Sequence, residues 1–167
     1  MAMPRMNHYG IHQASSVGMA SFTFTLEASW LVKKKETELI RILVADDRSE
    51  VLETVVPMLE AHFAVVGTAS DGWAAVEAEK KLRPDVVVLD ISMPVMSGIV
   101  VAKEMRKNGS KGAIVFLTVH QDSDILAAAK RAGGLGYVVK ARLGTDLVFA
   151  INEALEGREF VSPFPQG

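Results

Sequence analysis

Cysteine is absent from the 167-residue chain, which excludes a disulfide framework, a thiolate metal centre and a cysteine nucleophile. A dominant charge is also missing. Lys and Arg number 18 against 20 Asp and Glu, for a net charge of −2, so there is no basic footprint of the kind nucleic acid requires. No uninterrupted apolar run approaches the roughly 20 residues that cross a bilayer. The N-terminus lacks the basic start and compact apolar core of a signal peptide. His8, His12, His62 and His120 do not fall at metal-ligand spacing. A soluble, cytoplasmic protein with no membrane partner is expected. What the chain does have is apolar residues, 49% of the total, enough for one domain with a sizeable core.

Residues 1–39 lack a sustained period and are rich in small and polar side chains. They are expected to be a poorly ordered extension, with a short strand at "FTFTL" and a short helix after it. Lys33, Lys34 and Lys35 are read as a solvated face, since three charges make a small patch. A regular pattern begins near residue 40. "RILVA", "FAVVGTA", "DVVVLD", "AIVFLT" and "GYVVK" read as strands. "SEVLETVVPMLEAH", "DGWAAVEAEKKL", "GIVVAKEMRKN", "SDILAAAKRAG" and "GTDLVFAINEALEG" read as helices. Pro57 is expected to kink the first of these helices. The glycine cluster "AGGLG" (132–136) is read as a helix cap and turn. Strands that alternate with helices, and that are continuously apolar, indicate a doubly wound α/β fold on a five-stranded parallel sheet. The domain is expected over residues 40–160, with 161–167 as a C-terminal tail.

In such sheets ligands bind beyond the carboxyl ends of the strands. Those ends carry Asp46 and Asp47, Asp90, Thr118 and Lys140. Three carboxylates in one cleft repel unless a cation lies among them. An all-oxygen set without His or Cys suits Mg²⁺. A lysine and a hydroxyl beside it suit a phosphoryl group.

The set "ADD" (45–47), "DISMP" with "SG" (90–98), "LT" (117–118) and "GYVVK" (136–140) resembles the receiver domain of two-component response regulators. "VVGTASDG", "RAGGLGYVVK" and "ALEGREFVSP" are similar to receivers of the LuxR type (NarL-like). The resemblance implies the CheY-like, flavodoxin-like strand order 2-1-3-4-5. It implies that Asp90 accepts a phosphoryl group from a histidine kinase or histidine phosphotransfer protein. It implies that Asp46, Asp47, Asp90 and the main-chain carbonyl of Ser92 hold Mg²⁺, and that Lys140 contacts the phosphoryl oxygens. Thr118 then follows the phosphoryl group and Tyr137 turns inward as the switch. Met93, Pro94 and Gly98 shape the loop after the acceptor. Partner binding or self-association is expected through the last helices and strand. Ala141 departs from the pattern of many receivers, in which a proline follows the lysine; LuxR-type members often lack it.

Two other functions compete with this one. A Mg²⁺-dependent aspartyl-phosphate phosphohydrolase uses the same carboxylates, but such enzymes place a second Asp where Ser92 stands. An unphosphorylated, receiver-like interaction module would not need the acidic set. Sequence-specific DNA binding by this chain is not expected, because little sequence follows "EGREFVSP" in which a helix-turn-helix could form. His120 and Ser92, each two residues beyond a site residue, are expected to flank the path by which water reaches a phosphoryl group on Asp90.

Overall fold

The structure of the protein, a computed structural model, describes residues 38–163. The expectations placed on residues 1–37 lie outside the described residues. Six strands, β1 (Arg41–Ala45), β2 (Ala64–Ala69), β3 (Val86–Asp90), β4 (Ala113–Thr118), β5 (Gly134–Val139) and β6 (Phe160–Val161), form one sheet in the order β2-β1-β3-β4-β5-β6. Every pairing is parallel. The helices are α1 (Ser49–Glu60), α2 (Gly72–Leu82), α3 (Gly98–Lys107), α4 (Ser123–Arg131) and α5 (Leu143–Leu155).

Alternation along each strand divides the core in two. Leu43, Val87, Leu89, Ile114 and Phe116 pack with Ala75, Val101, Met105 and Ala129 of α2, α3 and α4. Ile42, Val44, Val88, Val115 and Leu117 pack with Val55, Leu59, Leu147 and Ile151 of α1 and α5. Both faces of the sheet are therefore covered, which is why the central strands run apolar on both faces up to their polar ends. Burial of each of the Val, Leu, Ile, Met and Phe side chains contributes roughly 1.5–3 kcal/mol.

Pro57 stands inside α1 and is exposed. The carbonyl it leaves without an amide partner belongs to Glu53, also exposed, where water can replace the lost bond. The helix continues to Glu60.

Two expectations need amendment. The five-strand order 2-1-3-4-5 holds, but a sixth, two-residue strand extends it, and β6 spans the border between residues 40–160 and 161–167. Of the "AGGLG" cluster only Gly133, at φ +92°, ends a helix. Gly134 and Gly136 belong to β5. A Cβ on Gly134 would lie 2.5 Å from the Phe116 ring, and one on Gly136 2.8 Å from Val115. The strand carries glycines because its neighbours' bulky side chains fill the space a Cβ would take.

Candidate functional site

Register brings the polar strand ends together. Ala45 pairs with Leu89, so Asp46 lies across from Asp90. Asp90 pairs with Leu117, which sets Thr118 one residue further out. Thr118 pairs with Val139, which puts Lys140 next beyond it. The chain runs from β1 outward to β2 and then returns to the other side of β1, so β1 and β3 flank the point where strand order reverses. That is where open α/β sheets form their crevice.

Asp46 and Asp90 are almost wholly buried, at 0% and 2% exposure, whereas Asp47 is exposed. Carboxylate oxygens of all three lie within 4.8 Å of one another. The Lys140 ammonium bridges the buried pair, 2.7 Å from Asp46 Oδ2 and 3.2 Å from Asp90 Oδ1. The Arg48 amide donates to Asp46 Oδ1 at 2.9 Å and the Ser92 amide to Asp90 Oδ1 at 3.2 Å. Asp46 Oδ2 is fully buried against that ammonium. Burial, followed by repulsion from Asp46, pushes the Asp90 carboxyl above its ordinary value, and Lys140 only partly opposes them. One ammonium thus serves a cluster of three carboxylates, which leaves negative charge uncompensated. A hard cation with oxygen preference fits that donor set.

The loop after Asp90 is held tightly. The Gly98 amide donates to the Ile91 carbonyl at 2.9 Å. A Cβ at Gly98 would overlap the Asp90 carbonyl oxygen, so only glycine lets α3 begin so close to β3. Between them Val95, 98% exposed, adopts φ +68°. A β-branched side chain is strained there. Nothing in "MPVMSG" signals it. Met93 is buried and Pro94 exposed. Ala141 follows Lys140 across a trans bond, as no cis peptide occurs among the described residues.

Thr118 is 1% exposed. Its hydroxyl donates to the His120 carbonyl and accepts from the His120 amide, both at 3.1 Å. Tyr137 is buried, and its hydroxyl donates to the same His120 carbonyl at 3.2 Å. Burial raises the Tyr137 phenol above its ordinary value, with the Thr118 hydroxyl acting against that shift. The His120 side chain is on the exposed surface. The structure therefore brings Asp46, Asp47, Asp90 and Lys140 into one cluster, joins the Ser92 backbone to it, and links Thr118 to Tyr137 through a backbone carbonyl. Sequence reasoning missed Arg48, which acts through its amide and so leaves no trace in residue type.

Residues 42–152 match the model of the response regulator receiver domain. The chain is 35% identical over 127 residues to the transcriptional regulatory protein YvfU of Bacillus subtilis, an alignment covering 75% of this chain and 64% of that one. It is similar to the solved receiver domain of the putative response regulator NarL from Mycobacterium tuberculosis, with 34% identity, a TM-score of 0.69 and coverage of 72% of this chain and 99% of that chain. It is also similar to a structure described as a DNA-binding response regulator of the LuxR family from Staphylococcus aureus, with 27% identity, a TM-score of 0.66 and coverage of 70% and 99%. The chain spans about three fifths of the length of the curated relatives it matches. These relatives correct the expectation that excluded DNA as a partner. They are named transcriptional regulators, and the match covers only their receiver portion, so the residue on which the sequence stops decides nothing about DNA.

Proposed function

The chain belongs to the response regulator receiver domain family of two-component signalling, and from that membership we propose that Asp90 is its phosphoacceptor, with Lys140 and Thr118 assisting the transfer. The observation that carries this reading is the Lys140 ammonium lying between Asp46 and Asp90 at the end of β3. Asp90 Oδ1 is engaged by Lys140 and the Ser92 amide, which leaves Oδ2 to form the new P–O bond as the P–N bond of a phosphohistidine breaks. Lys140 then stands where it can neutralise the oxygens of the arriving group, which brings about two negative charges. Thr118 can exchange its bond to the His120 carbonyl for one to a phosphoryl oxygen. Tyr137, bound to the same carbonyl, responds to that exchange. This is a two-state element biased by a local charge.

Asp46, Asp47, Asp90 and the Ser92 carbonyl would hold Mg²⁺. When bound, the ion supplies charge neutralisation and alignment for phosphoryl transfer. The assignment of one receiver unit over residues 40–160, a cytoplasmic location and self-catalysed gain and loss of the phosphoryl group belong to the same proposal.

Incubation with acetyl phosphate and Mg²⁺ separates the readings. A receiver gains one acid-stable, base-labile phosphoryl group per chain. A phosphohydrolase turns acetyl phosphate over without limit, and an inert interaction module gains no label.

A further inference from the structure

Beyond the site, one buried polar cluster ties the C-terminal strand to Lys140. β6 is two residues long, and its ladder closes with the Ser162 amide donating to the Tyr137 carbonyl at 2.8 Å. The next donor on that edge of β5 is the amide of Val139, a buried residue. In a longer parallel strand a backbone carbonyl would take it. Here the Ser162 hydroxyl does, accepting at 3.1 Å. That hydroxyl donates in turn to Asp146 Oδ2 at 2.7 Å. Arg142 grips the same carboxylate with both arms of its guanidinium, Nε to Oδ2 at 2.7 Å and Nη2 to Oδ1 at 3.1 Å. Ser162 is 1% and Asp146 5% exposed. Both are fully hydrogen-bonded, and such a network fixes its members rigidly.

Lys140 lies inside this cluster's span. Val139 precedes it, and Arg142 ends the short 3-10 turn Lys140–Arg142 that it begins. The backbone of Lys140 is thus held on one side through Ser162 and on the other through Arg142 and Asp146.

We propose that Ser162, Asp146 and Arg142 are positioning residues, a clasp through which strand β6 sets the placement of Lys140 and senses what Lys140 binds. Coupling of this kind is reciprocal. A clasp that places the ammonium over Asp90 is itself tightened when Lys140 engages a phosphoryl group. The strand leading out of the sheet at Ser162-Pro163 therefore reports on the acceptor. The inference rests on the reading of Asp90 as the phosphoacceptor.

The test uses the full chain, acetyl phosphate with Mg²⁺, and amide hydrogen exchange read by NMR. In the wild type, labelling should slow exchange of the Val139 and Ser162 amides together, by about the same factor. Ser162→Ala should slow labelling about five-fold, the effect of one hydrogen bond of ordinary strength. Asp146→Asn, isosteric but uncharged, should slow it in the same direction. Exchange at Val139 and Ser162 that ignores labelling overturns the clasp, and this arm needs no variant to fold. Labelling of Ser162→Ala at the wild-type rate overturns it as well. Failure of the wild type to take any label overturns the acceptor reading and the clasp with it, an outcome distinct from a labelled wild type with indifferent variants.

Discussion

Thr118 and Tyr137 donate their hydroxyls to one acceptor, the carbonyl oxygen of His120, at 3.1 and 3.2 Å. The two residues sit on neighbouring strands, and the shared oxygen makes the β4–α4 loop the joint between them. Tyr137 is already buried with this bond formed, so its inward position does not require Thr118 to leave its loop. Tyr137→Phe keeps the ring and removes one donor. The His120 amide, which donates to Thr118 Oγ1 in the same turn, should then exchange faster as the turn loosens, by up to about five-fold, while Asp90 still takes label. Unchanged exchange would remove Tyr137 from the joint.

Asp90 is held at a stability deficit. Its carboxyl is raised in the folded protein by burial and by Asp46, so the native state binds this proton at pH values where the unfolded chain has released it. Stability linked to Asp90 is greatest below the unfolded value of about 3.9 and falls as pH rises through the folded value. The deficit is complete once pH exceeds the folded value. Asp90→Asn should therefore be more stable than the wild type at neutral pH, by on the order of 1 kcal/mol. The difference should shrink toward pH 4. Thermal or urea unfolding across that range checks it, and a less stable variant at pH 7 would contradict it.

Divalent metal should relieve the same repulsion. Mg²⁺ that binds only the folded chain raises its melting temperature by an amount that grows with the logarithm of free Mg²⁺ over its Kd. Asp47 is exposed and pairs with no lysine or arginine among the described residues, so Asp47→Ala can lose the metal with little other damage. Calorimetric titration should show Mg²⁺ affinity lowered at least ten-fold in Asp47→Ala, and the metal-induced rise in melting temperature largely gone. Equal affinity in both proteins would place the ion elsewhere.

The loop after Asp90 offers two opposite outcomes. Val95→Gly relieves a left-handed β-branched residue and should stabilise the fold by about 1 kcal/mol. Gly98→Ala drives a methyl group into the Asp90 carbonyl and should destabilise it by more than 2 kcal/mol. Urea unfolding of both variants measures the contrast. A neutral Gly98→Ala would mean that α3 can shift away from β3 without loss.

Much of this molecule is legible in its sequence, because parallel strands buried on both faces read as apolar runs and their carboxyl ends are marked by the residues that break them. Asp46, Asp90, Thr118 and Lys140 can be placed on one rim by that logic alone. The parts that stayed hidden leave no mark in residue type or in local period. The bonds from the Arg48 amide to Asp46 and from Tyr137 to the His120 carbonyl use backbone atoms, which every residue has. Strand β6 is too short to show a period, and Ser162 finds Asp146 across 16 positions of sequence. Gly134 and Gly136 resemble turn residues until Phe116 and Val115 are seen beside them. The exclusion of DNA failed for a different reason: it drew on where the sequence stops rather than on any residue in it.

The most direct measurement is intact and peptide mass spectrometry of the wild type and of Asp90→Asn after incubation with acetyl phosphate and Mg²⁺. Phosphorylation at Asp90 predicts one phosphoryl group on the wild type, located in the peptide that contains "DISMP", and none on the variant. Undiminished label on Asp90→Asn, or label on another peptide, would contradict it.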